Sequence, residues 1–232
     1  MTERAYVAAI DQGTTGTRCM LVRQDGTVHA AAYEEHTQHY PQPGGVEHDP
    51  AEIWTRTQSV IRRALVDGRA GAGDIAAVGI TNQRETTLLW DRASGQPAYP
   101  AIVWQDTRTR ELCQRLIDDG LEPLIHERTG LRSATYFSGP KLAWILETVP
   151  GARRAAARGN LLFGTIDSWL IWWLTGGPRG GAHVIDVSNA SRTMLMDLRR
   201  LTWDQELLAH LRIPSPVLPQ IRPSSDRTPY GI

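Results

Sequence analysis

The feature that most constrains this sequence is an apolar run that breaks, at an aspartate, into a turn rich in glycine and threonine. Residues 6–10 form the run, residues 11–18 read DQGTTGTR, and a second extended run covers residues 19–22. Two such runs around a short Gly-containing turn predict a β-hairpin. Gly13 and Gly16 lie at its tip, where tolerance of positive φ and the lack of a Cβ let backbone N–H groups approach a ligand closely.

The polar side chains of this turn are suited to binding phosphate. Thr14, Thr15 and Thr17 carry hydroxyls, and Arg18 carries a planar cation that matches phosphate oxygens. Asp11, at the end of the first strand, is suited to hold Mg²⁺ through water, because Mg²⁺ keeps much of its hydration in proteins. The turn matches neither GxGxxG nor GxxxxGK[ST]. A polar β-hairpin without a ligand is therefore the alternative interpretation.

Composition excludes several classes of partner. The chain has 232 residues, with 25 Lys and Arg balanced by 25 Asp and Glu, so its net charge gives no field to attract nucleic acid or an anionic membrane. We expect neither as a partner. The most hydrophobic stretch, residues 170–174, is far too short to span a bilayer. Residues 1–4 begin no signal peptide, and the two cysteines, Cys19 and Cys113, form no metal-type pair, so we expect a cytoplasmic location.

The order of the predicted elements indicates an α/β fold. A third strand at residues 28–33 completes an antiparallel meander, and an apolar strand that we interpret as buried follows at residues 76–80. Asp49 is predicted to cap a helix that runs from Pro50 to Asp67. Further strands are predicted at 86–90, 101–104 and 161–163, and further helices at 107–119, 140–146 and 166–174. This order predicts a mixed β-sheet, opened by the antiparallel meander and flanked by helices.

A second candidate site follows the strand at residues 76–80, in residues 79–87 (GITNQRETT). Ligands of open α/β sheets tend to bind beyond the carboxyl ends of strands. Arg84 offers up to five N–H donors and the Glu85 carboxylate only accepts, a combination suited to a ligand with several hydroxyls. Neighbours in a regular strand point to opposite faces, so the backbone must bend if both residues contact one ligand. The alternative is an exposed Arg–Glu pair of little energetic value.

Two aromatic residues are further candidates for ligand contact. Trp104, at the end of a predicted strand, is suited to lay its ring against the C–H side of a polyol, although core packing is the alternative. Tyr136 lies in a loop before a helix, where its hydroxyl can face a cleft or anchor the loop. Asp106, followed by Thr107, is interpreted as a helix cap. The seven histidines show no metal-ligand spacing, and none is assigned chemistry.

Taken together, these stretches resemble the FGGY family of carbohydrate kinases, and within it the glycerol kinases. The matching motifs follow the family's order and cover nearly the whole chain: residues 9–15 (AIDQGTT), 46–50 (VEHDP), 80–87 (ITNQRETT), 101–105 (AIVWQ), 136–139 (YFSG), 161–165 (LLFGT) and 188–193 (SNASRT). The run Asn-Gln-Arg-Glu separates glycerol kinases from relatives that act on pentuloses or gluconate. The resemblance implies an actin-like ATPase (ribonuclease H-like) fold.

The resemblance also implies an activity, namely ATP-dependent phosphorylation of glycerol to sn-glycerol 3-phosphate with Mg²⁺ as the metal. By position in the motifs, the nucleotide phosphates would be bound by Gly13, Thr14, Thr15, Gly16 and Arg18, with Asp11 near the metal. Glycerol would be held by Arg84, Glu85, Trp104 and Tyr136, with Thr14 close to the transferred phosphoryl group. We expect the full-length enzyme to be a homo-oligomer.

The sequence departs from the family in two residues and in length. Gly16 replaces a residue that is often serine, and Pro140 replaces a threonine, which raises the question of how Tyr136 is held. Family members have about twice this length, and their catalytic base and adenine pocket come from a second domain. Residues 1–232 therefore correspond to the N-terminal FGGY domain, and we assign no catalytic base within them and expect this chain alone to be inactive. A non-catalytic glycerol- or phosphate-binding module, or another FGGY sugar kinase, is the alternative.

Overall fold

The computed structural model describes residues 5–231, and this part of the chain divides into two compact units. The first unit comprises the residues up to Gln38 together with His48–Gln83, and the second comprises His39–Glu47 and the residues from Arg84 onward. Residues 1–4, on which the expectation of no signal peptide rests, lie outside the described residues.

The regular structure consists of the following strands and α-helices. The strands are β1 (Tyr6–Gln12), β2 (Gly16–Arg23), β3 (Val28–Glu35), β4 (Glu47–His48), β5 (Ile75–Asn82), β6 (Leu88–Asp91), β7 (Ala101–Ile102), β8 (Leu161–Gly164), β9 (Val184–Asp186), β10 (Met196–Asp197), β11 (Thr202–Trp203) and β12 (Gln220–Arg222). The α-helices are α1 (Pro50–Asp67), α2 (Arg110–Asp118), α3 (Glu122–Thr129), α4 (Ser138–Thr148), α5 (Ala152–Ala157), α6 (Ile166–Leu174), α7 (Val187–Ala190) and α8 (Gln205–His210).

The first unit is a four-stranded mixed sheet in the order β3-β2-β1-β5, with α1 packed on β2 and β3. The meander β1–β2–β3 is antiparallel and β5 runs parallel to β1, which confirms the predicted mixed sheet. Successive side chains alternate between the two faces of a strand. On one face Ile10, Cys19 and Leu21 are buried, and Ile53 and Val60 of α1 are buried in the same unit.

The start of α1 confirms the predicted capping. The Asp49 carboxylate accepts a hydrogen bond of 2.8 Å from the Ala51 N–H, and Pro50 occupies the first helical position, where its missing N–H leaves no intrahelical bond unmade. The helix ends at Asp67, as the sequence predicts.

The expectation that the strand at residues 76–80 is buried is wrong. β5 lies at the edge of the sheet, and residues 76–79 are exposed, with Val78 53% exposed. An apolar run is typical of a strand covered on both faces, but the run itself does not reveal whether a helix covers it. Here α1 contacts chiefly β2 and β3, so the small apolar side chains of β5 remain at the surface.

The second unit is built around buried helices and short strand pairs. β6 pairs antiparallel with β8, and the Trp90 ring of β6 meets the Trp169 ring of α6 edge to face at 5.3 Å. Helix α6 has the predicted bounds, and α4 is longer than predicted by two residues at each end. The strand predicted over 101–104 is shorter and ends at Ile102, because the chain turns before Trp104.

The proline-rich region after Arg212 contains only a short 3-10 turn and β12, which pairs with β9. Five prolines within residues 214–229 exclude a long helix there, as the sequence predicts. Across residues 5–231, no helix has the length and apolar content that a membrane crossing requires.

Candidate functional site

The Gly/Thr-rich turn forms the predicted hairpin in the first unit. Gln12 pairs with Thr17 at the end of the β1–β2 ladder, and the Gly13 N–H donates to the Gly16 carbonyl at 2.8 Å. The tolerance of Gly13 and Gly16 for positive φ is not used here, because neither residue adopts it. Gly16 is required for a different reason. A Cβ at Gly16 would lie 2.5 Å from the Glu34 carbonyl oxygen and 2.6 Å from the Tyr33 hydroxyl.

Two side-chain amides hold the carbonyls of this turn, and an imidazole holds one of the two amides. Gln83 Nε2 donates to the Gly13 carbonyl at 3.3 Å, and Gln38 Nε2 donates to the Thr14 carbonyl at 2.9 Å. His48 Nε2–H in turn donates to Gln38 Oε1 at 2.7 Å, and both His48 and Gln83 are buried. Buried networks with satisfied partners rigidify a segment. The hairpin tip is thus fixed before any ligand arrives, as phosphate binding by backbone N–H groups requires.

The predicted phosphate-binding side chains divide between two faces of the hairpin. Thr15 and Arg18 are exposed and Thr14 is half-buried, whereas Thr17 is fully buried, so its hydroxyl is not available to a ligand. The Arg18 guanidinium carbon lies 5.6 Å from the centroid of the Tyr33 ring. This contact orients the guanidinium while leaving its N–H groups able to donate.

Asp11 lies opposite Arg18 in the β1–β2 register and is half-buried. Among residues 5–231, no group of three or more His, Cys, Asp or Glu side chains is placed to hold a metal ion. A single carboxylate at a strand end is compatible with Mg²⁺, which proteins commonly hold by one or two carboxylates together with water and substrate phosphates.

The packing at the two glycines predicts different costs for adding a methyl group. In Gly16→Ala, the new Cβ has to displace the backbone of Glu34, so we expect the free energy of unfolding to fall by about 1–3 kcal/mol. In the matched variant Gly13→Ala, the nearest atom to the Cβ is 3.4 Å away, and we expect a change within about 0.5 kcal/mol. Urea unfolding of both variants measures the difference. Equal stabilities would contradict this account of Gly16.

The second candidate site, in the second unit, is centred on Glu85. β5 ends at Asn82, and Glu85 has a φ of +63°, so the backbone bends after the strand as contact of Arg84 and Glu85 with one ligand requires. A left-handed conformation is strained for a residue other than glycine and persists only when the surroundings enforce it. Here the Glu85 carbonyl accepts hydrogen bonds from the Ser138 and Thr87 hydroxyls, both at 3.1 Å.

The carboxylate of Glu85 is buried beside a cation from a distant part of the chain. Glu85 is 1% exposed, and Arg192 Nε donates to Glu85 Oε1 at 2.6 Å. The alternative of an exposed Arg84–Glu85 pair is therefore wrong. The side chain of Arg84 is exposed, and its carbonyl accepts from the Thr86 N–H at 2.8 Å in the same bend.

The two predicted aromatic residues meet beside this ion pair. Trp104 and Tyr136 are half-buried, and their ring centroids lie 5.6 Å apart in an edge-to-face arrangement. The Arg192 guanidinium carbon lies 5.8 Å from the Tyr136 ring centroid, so contacts connect Glu85, Arg192, Tyr136 and Trp104 in sequence. The second unit therefore brings the buried Glu85 carboxylate and two partly exposed rings together.

The loop that carries Trp104 is held by a second buried ion cluster, which defines a role for Asp106 other than the predicted helix cap. α2 begins only at Arg110, and Asp106 Oδ2 instead accepts from the Val46 N–H at 2.7 Å and from Arg108 Nη2 at 2.7 Å. Arg108 Nη1 also lies 2.8 Å from Glu47 Oε1, and its side chain is only 3% exposed. The two carboxylates hold the pKa of Arg108 above its usual value despite the burial.

Three charged residues in or beside the site were not predicted from the sequence: Arg192, Arg108 and Lys141, whose amine donates to the Tyr136 carbonyl at 2.6 Å. Arg192 lies in the motif SNASRT, and its charge among small polar residues was the available signal. Arg108 lies two residues beyond Asp106, a spacing that in a loop does not predict pairing. Lys141 was the most visible of the three, since it is the one lysine in the sequence.

The comparisons with known proteins define the class. The chain belongs to the FGGY family of carbohydrate kinases, because the sequence model of that family's N-terminal domain matches residues 6–230. Within this family it is similar to glycerol kinases. It is 60% identical over 220 residues to a glycerol kinase of Chloroflexus aurantiacus, covering 95% of this chain and 44% of that protein.

Solved structures give the same fold. A Plasmodium falciparum glycerol kinase crystallised with ADP superposes with a TM-score of 0.91 at 34% identity, covering 98% of this chain and 44% of that one. A gluconate kinase of Lactobacillus acidophilus superposes with a TM-score of 0.82 at 26% identity, covering 94% of this chain and 42% of that one. The chain thus spans less than half the length of the relatives it matches, and its fold is that of the actin-like ATPase kinases.

Proposed function

We propose that this chain is the part of a glycerol kinase that binds glycerol and the phosphates of ATP, and that the whole enzyme transfers a phosphoryl group from ATP to glycerol. The observation that carries the proposal is the position of Glu85. Its carboxylate is buried, its backbone is bent into the left-handed region, and it connects through Arg192 to the Tyr136–Trp104 ring pair.

The chemistry of these groups suits a small triol. Each hydroxyl of glycerol both donates and accepts, so the Glu85 carboxylate is suited to accept from two hydroxyls and the exposed Arg84 guanidinium to donate to them. The half-buried faces of Trp104 and Tyr136 are suited to pack against the C–H side of the molecule. A buried carboxylate is stabilised by each hydroxyl that donates to it, which favours a polyol over an apolar ligand.

The hairpin supplies the second half of the proposed reaction. The Gly/Thr-rich turn at residues 13–16 and the exposed Arg18 are suited to the phosphates of ATP, with Thr14 near the group that is transferred. Asp11 would hold Mg²⁺, which neutralises phosphate charge when bound. Phosphoryl transfer depends chiefly on positioning and charge stabilisation, and both require an enclosed site.

Sequence identity favours glycerol over gluconate or xylulose as the substrate. The glycerol kinase of Chloroflexus aurantiacus is 60% identical to this chain, whereas the gluconate kinase and a xylulose kinase from Rhodospirillum rubrum are 26% and 27% identical. The relatives extend for more than another length of this chain. We propose that the catalytic base and the adenine pocket belong to that further length.

The proposal is tested by ADP release from the purified 232-residue chain with ATP, Mg²⁺ and glycerol. We expect no glycerol-dependent release, because the base and the adenine pocket are proposed to lie outside these residues. Turnover near that of a full-length glycerol kinase, lost in Arg84→Ala, would show that a carboxylate of this chain acts as the base, with Asp11 the first to be examined.

A further inference from the structure

The basic residues of this chain are almost all arginine. The sequence contains 24 arginines and one lysine, and that lysine, Lys141, is 0% exposed in the first turn of α4. Lysine is among the residues that are least often fully buried, because its ammonium is strongly hydrated. A lone lysine buried in an arginine-rich chain therefore points to a place where a compact cation is needed and a planar guanidinium does not fit.

The Lys141 amine reaches both segments of the glycerol site through their backbones. Nζ donates to the Tyr136 carbonyl at 2.6 Å and, in a longer contact of 3.5 Å, to the Glu85 carbonyl. The same Glu85 carbonyl accepts from the Ser138 and Thr87 hydroxyls. Arg192 joins the Glu85 carboxylate to the Tyr136 ring, and Lys141 joins the backbones of the same two segments, namely the bend that carries the carboxylate and the loop that carries the ring.

We propose that Lys141 is a positioning residue for glycerol: by bridging the Glu85 and Tyr136 carbonyls, it fixes the left-handed bend at Glu85 at the spacing from the Tyr136 ring that glycerol requires. This inference rests on the proposed function. It also accounts for how Tyr136 is held although Pro140 replaces the threonine of the family. Pro140 lies in the first turn of α4, where its missing N–H has no intrahelical partner to lose, and the next residue supplies the anchor.

The pKa of Lys141 depends on the groups that surround it, including the Glu85 carboxylate. The charged or titratable groups that act on it are Asp106, the Glu85 carboxylate, Cys113 and Arg108, and burial lowers the pKa of Lys141 to about 7. Both the ammonium and the neutral amine can donate to two carbonyls, so the bridge persists through this titration. A change in the Glu85 carboxylate, such as the arrival of hydroxyl donors, alters the field at Nζ and hence the pKa of Lys141.

The bridge is tested first by calorimetric titration of glycerol into the 232-residue chain and two variants. Lys141→Met keeps an unbranched side chain, shorter by the one terminal atom, and removes the donor, so we expect the Kd for glycerol to rise about tenfold or more. Ser138→Ala removes one donor to the Glu85 carbonyl without touching Tyr136, and we expect a rise of less than about threefold. An equal loss in the two variants would overturn the bridging role.

The single lysine allows a second readout that a merely structural role would not change. A chain labelled with ¹³Cε-lysine gives one lysine side-chain signal, and we expect its titration midpoint, near pH 7 without glycerol, to move when glycerol saturates the site. If wild type binds glycerol but the midpoint stays and Lys141→Met binds equally well, the inference is wrong while the proposed function stands. If wild type shows no glycerol binding, both are overturned. Should Lys141→Met not fold, the wild-type lysine signal decides alone.

Discussion

Replacing Arg108 by leucine is expected to lower the free energy of unfolding by about 3–5 kcal/mol, because the substitution leaves two carboxylates buried without their cation. Arg108 Nη2 lies 2.7 Å from Asp106 Oδ2, and Arg108 Nη1 lies 2.8 Å from Glu47 Oε1. The Asp106 side chain is fully buried. The Arg108 guanidinium carbon also lies 4.9 Å from the Trp144 ring centroid, a contact that leucine replaces only in part. The expected drop is large against the total stability of a domain of this size.

The matched control for this prediction is Arg110→Leu, which removes the same charge from an exposed position at the start of α2. We expect its free energy of unfolding to lie within about 0.5 kcal/mol of wild type. Denaturant unfolding of the three chains, followed by tryptophan fluorescence, gives the comparison. A loss below about 1 kcal/mol in Arg108→Leu would mean that Asp106 and Glu47 find other partners or water.

Glu85→Gln is expected to weaken glycerol binding about ten- to hundredfold, since a charged acceptor is replaced by a neutral amide. Glutamine has nearly the same size and can adopt the same bend, so the hydrogen bonds to the residue 85 carbonyl are retained. It loses, however, the ability to accept at both terminal atoms, and one of the two hydroxyls that we assign to Glu85 then meets a donor. Isothermal titration calorimetry with glycerol measures the change.

Glu147→Gln serves as the control for Glu85→Gln. Glu147 is an exposed carboxylate near the end of α4 that pairs with Arg153 at 2.9 Å, outside the proposed site. We expect its glycerol affinity to equal that of wild type, because exposed ion pairs contribute little. Equal affinities of wild type and Glu85→Gln would instead place the glycerol contact elsewhere.

Local sequence patterns predicted most of the regular structure. The meander and the capped helix α1 follow from signals contained within a few residues of each other: extended runs around Gly-containing turns, and Asp49 directly before Pro50. The exposure of β5 did not follow, because burial of a strand depends on which helices cover it and not on its own composition. Gly16 was singled out for its tolerance of positive φ and its lack of a Cβ, but the close approach of Tyr33 and Glu34, which leaves no room for a Cβ, did not follow from the local sequence.

The site shows the same division. Arg84, Glu85, Trp104 and Tyr136 could be singled out because each lies beside the end of a predicted strand or the start of a predicted helix, within a motif that resembles the family's. The residues that contact them, Arg192 and Lys141, could not be singled out in this way. Arg192 is 107 residues from Glu85 along the chain, and Lys141 is 56 residues from it. Pairing over such separations is decided by tertiary packing, on which local propensity carries no information.

A glycerol titration of the ¹⁵N-labelled 232-residue chain, followed by NMR, tests the central claim most directly. The claim is that Glu85, Tyr136 and Trp104 form the glycerol site. We expect saturable shifts of the Trp104 indole N–H, assigned with Trp104→Phe, and of the backbone amides of residues 84–86 and 136–137. The indole N–H signals of the other seven tryptophans are expected not to shift, so they serve as internal controls. Saturable shifts confined to other residues, or no saturable shift at all, would contradict the assignment of this site to glycerol.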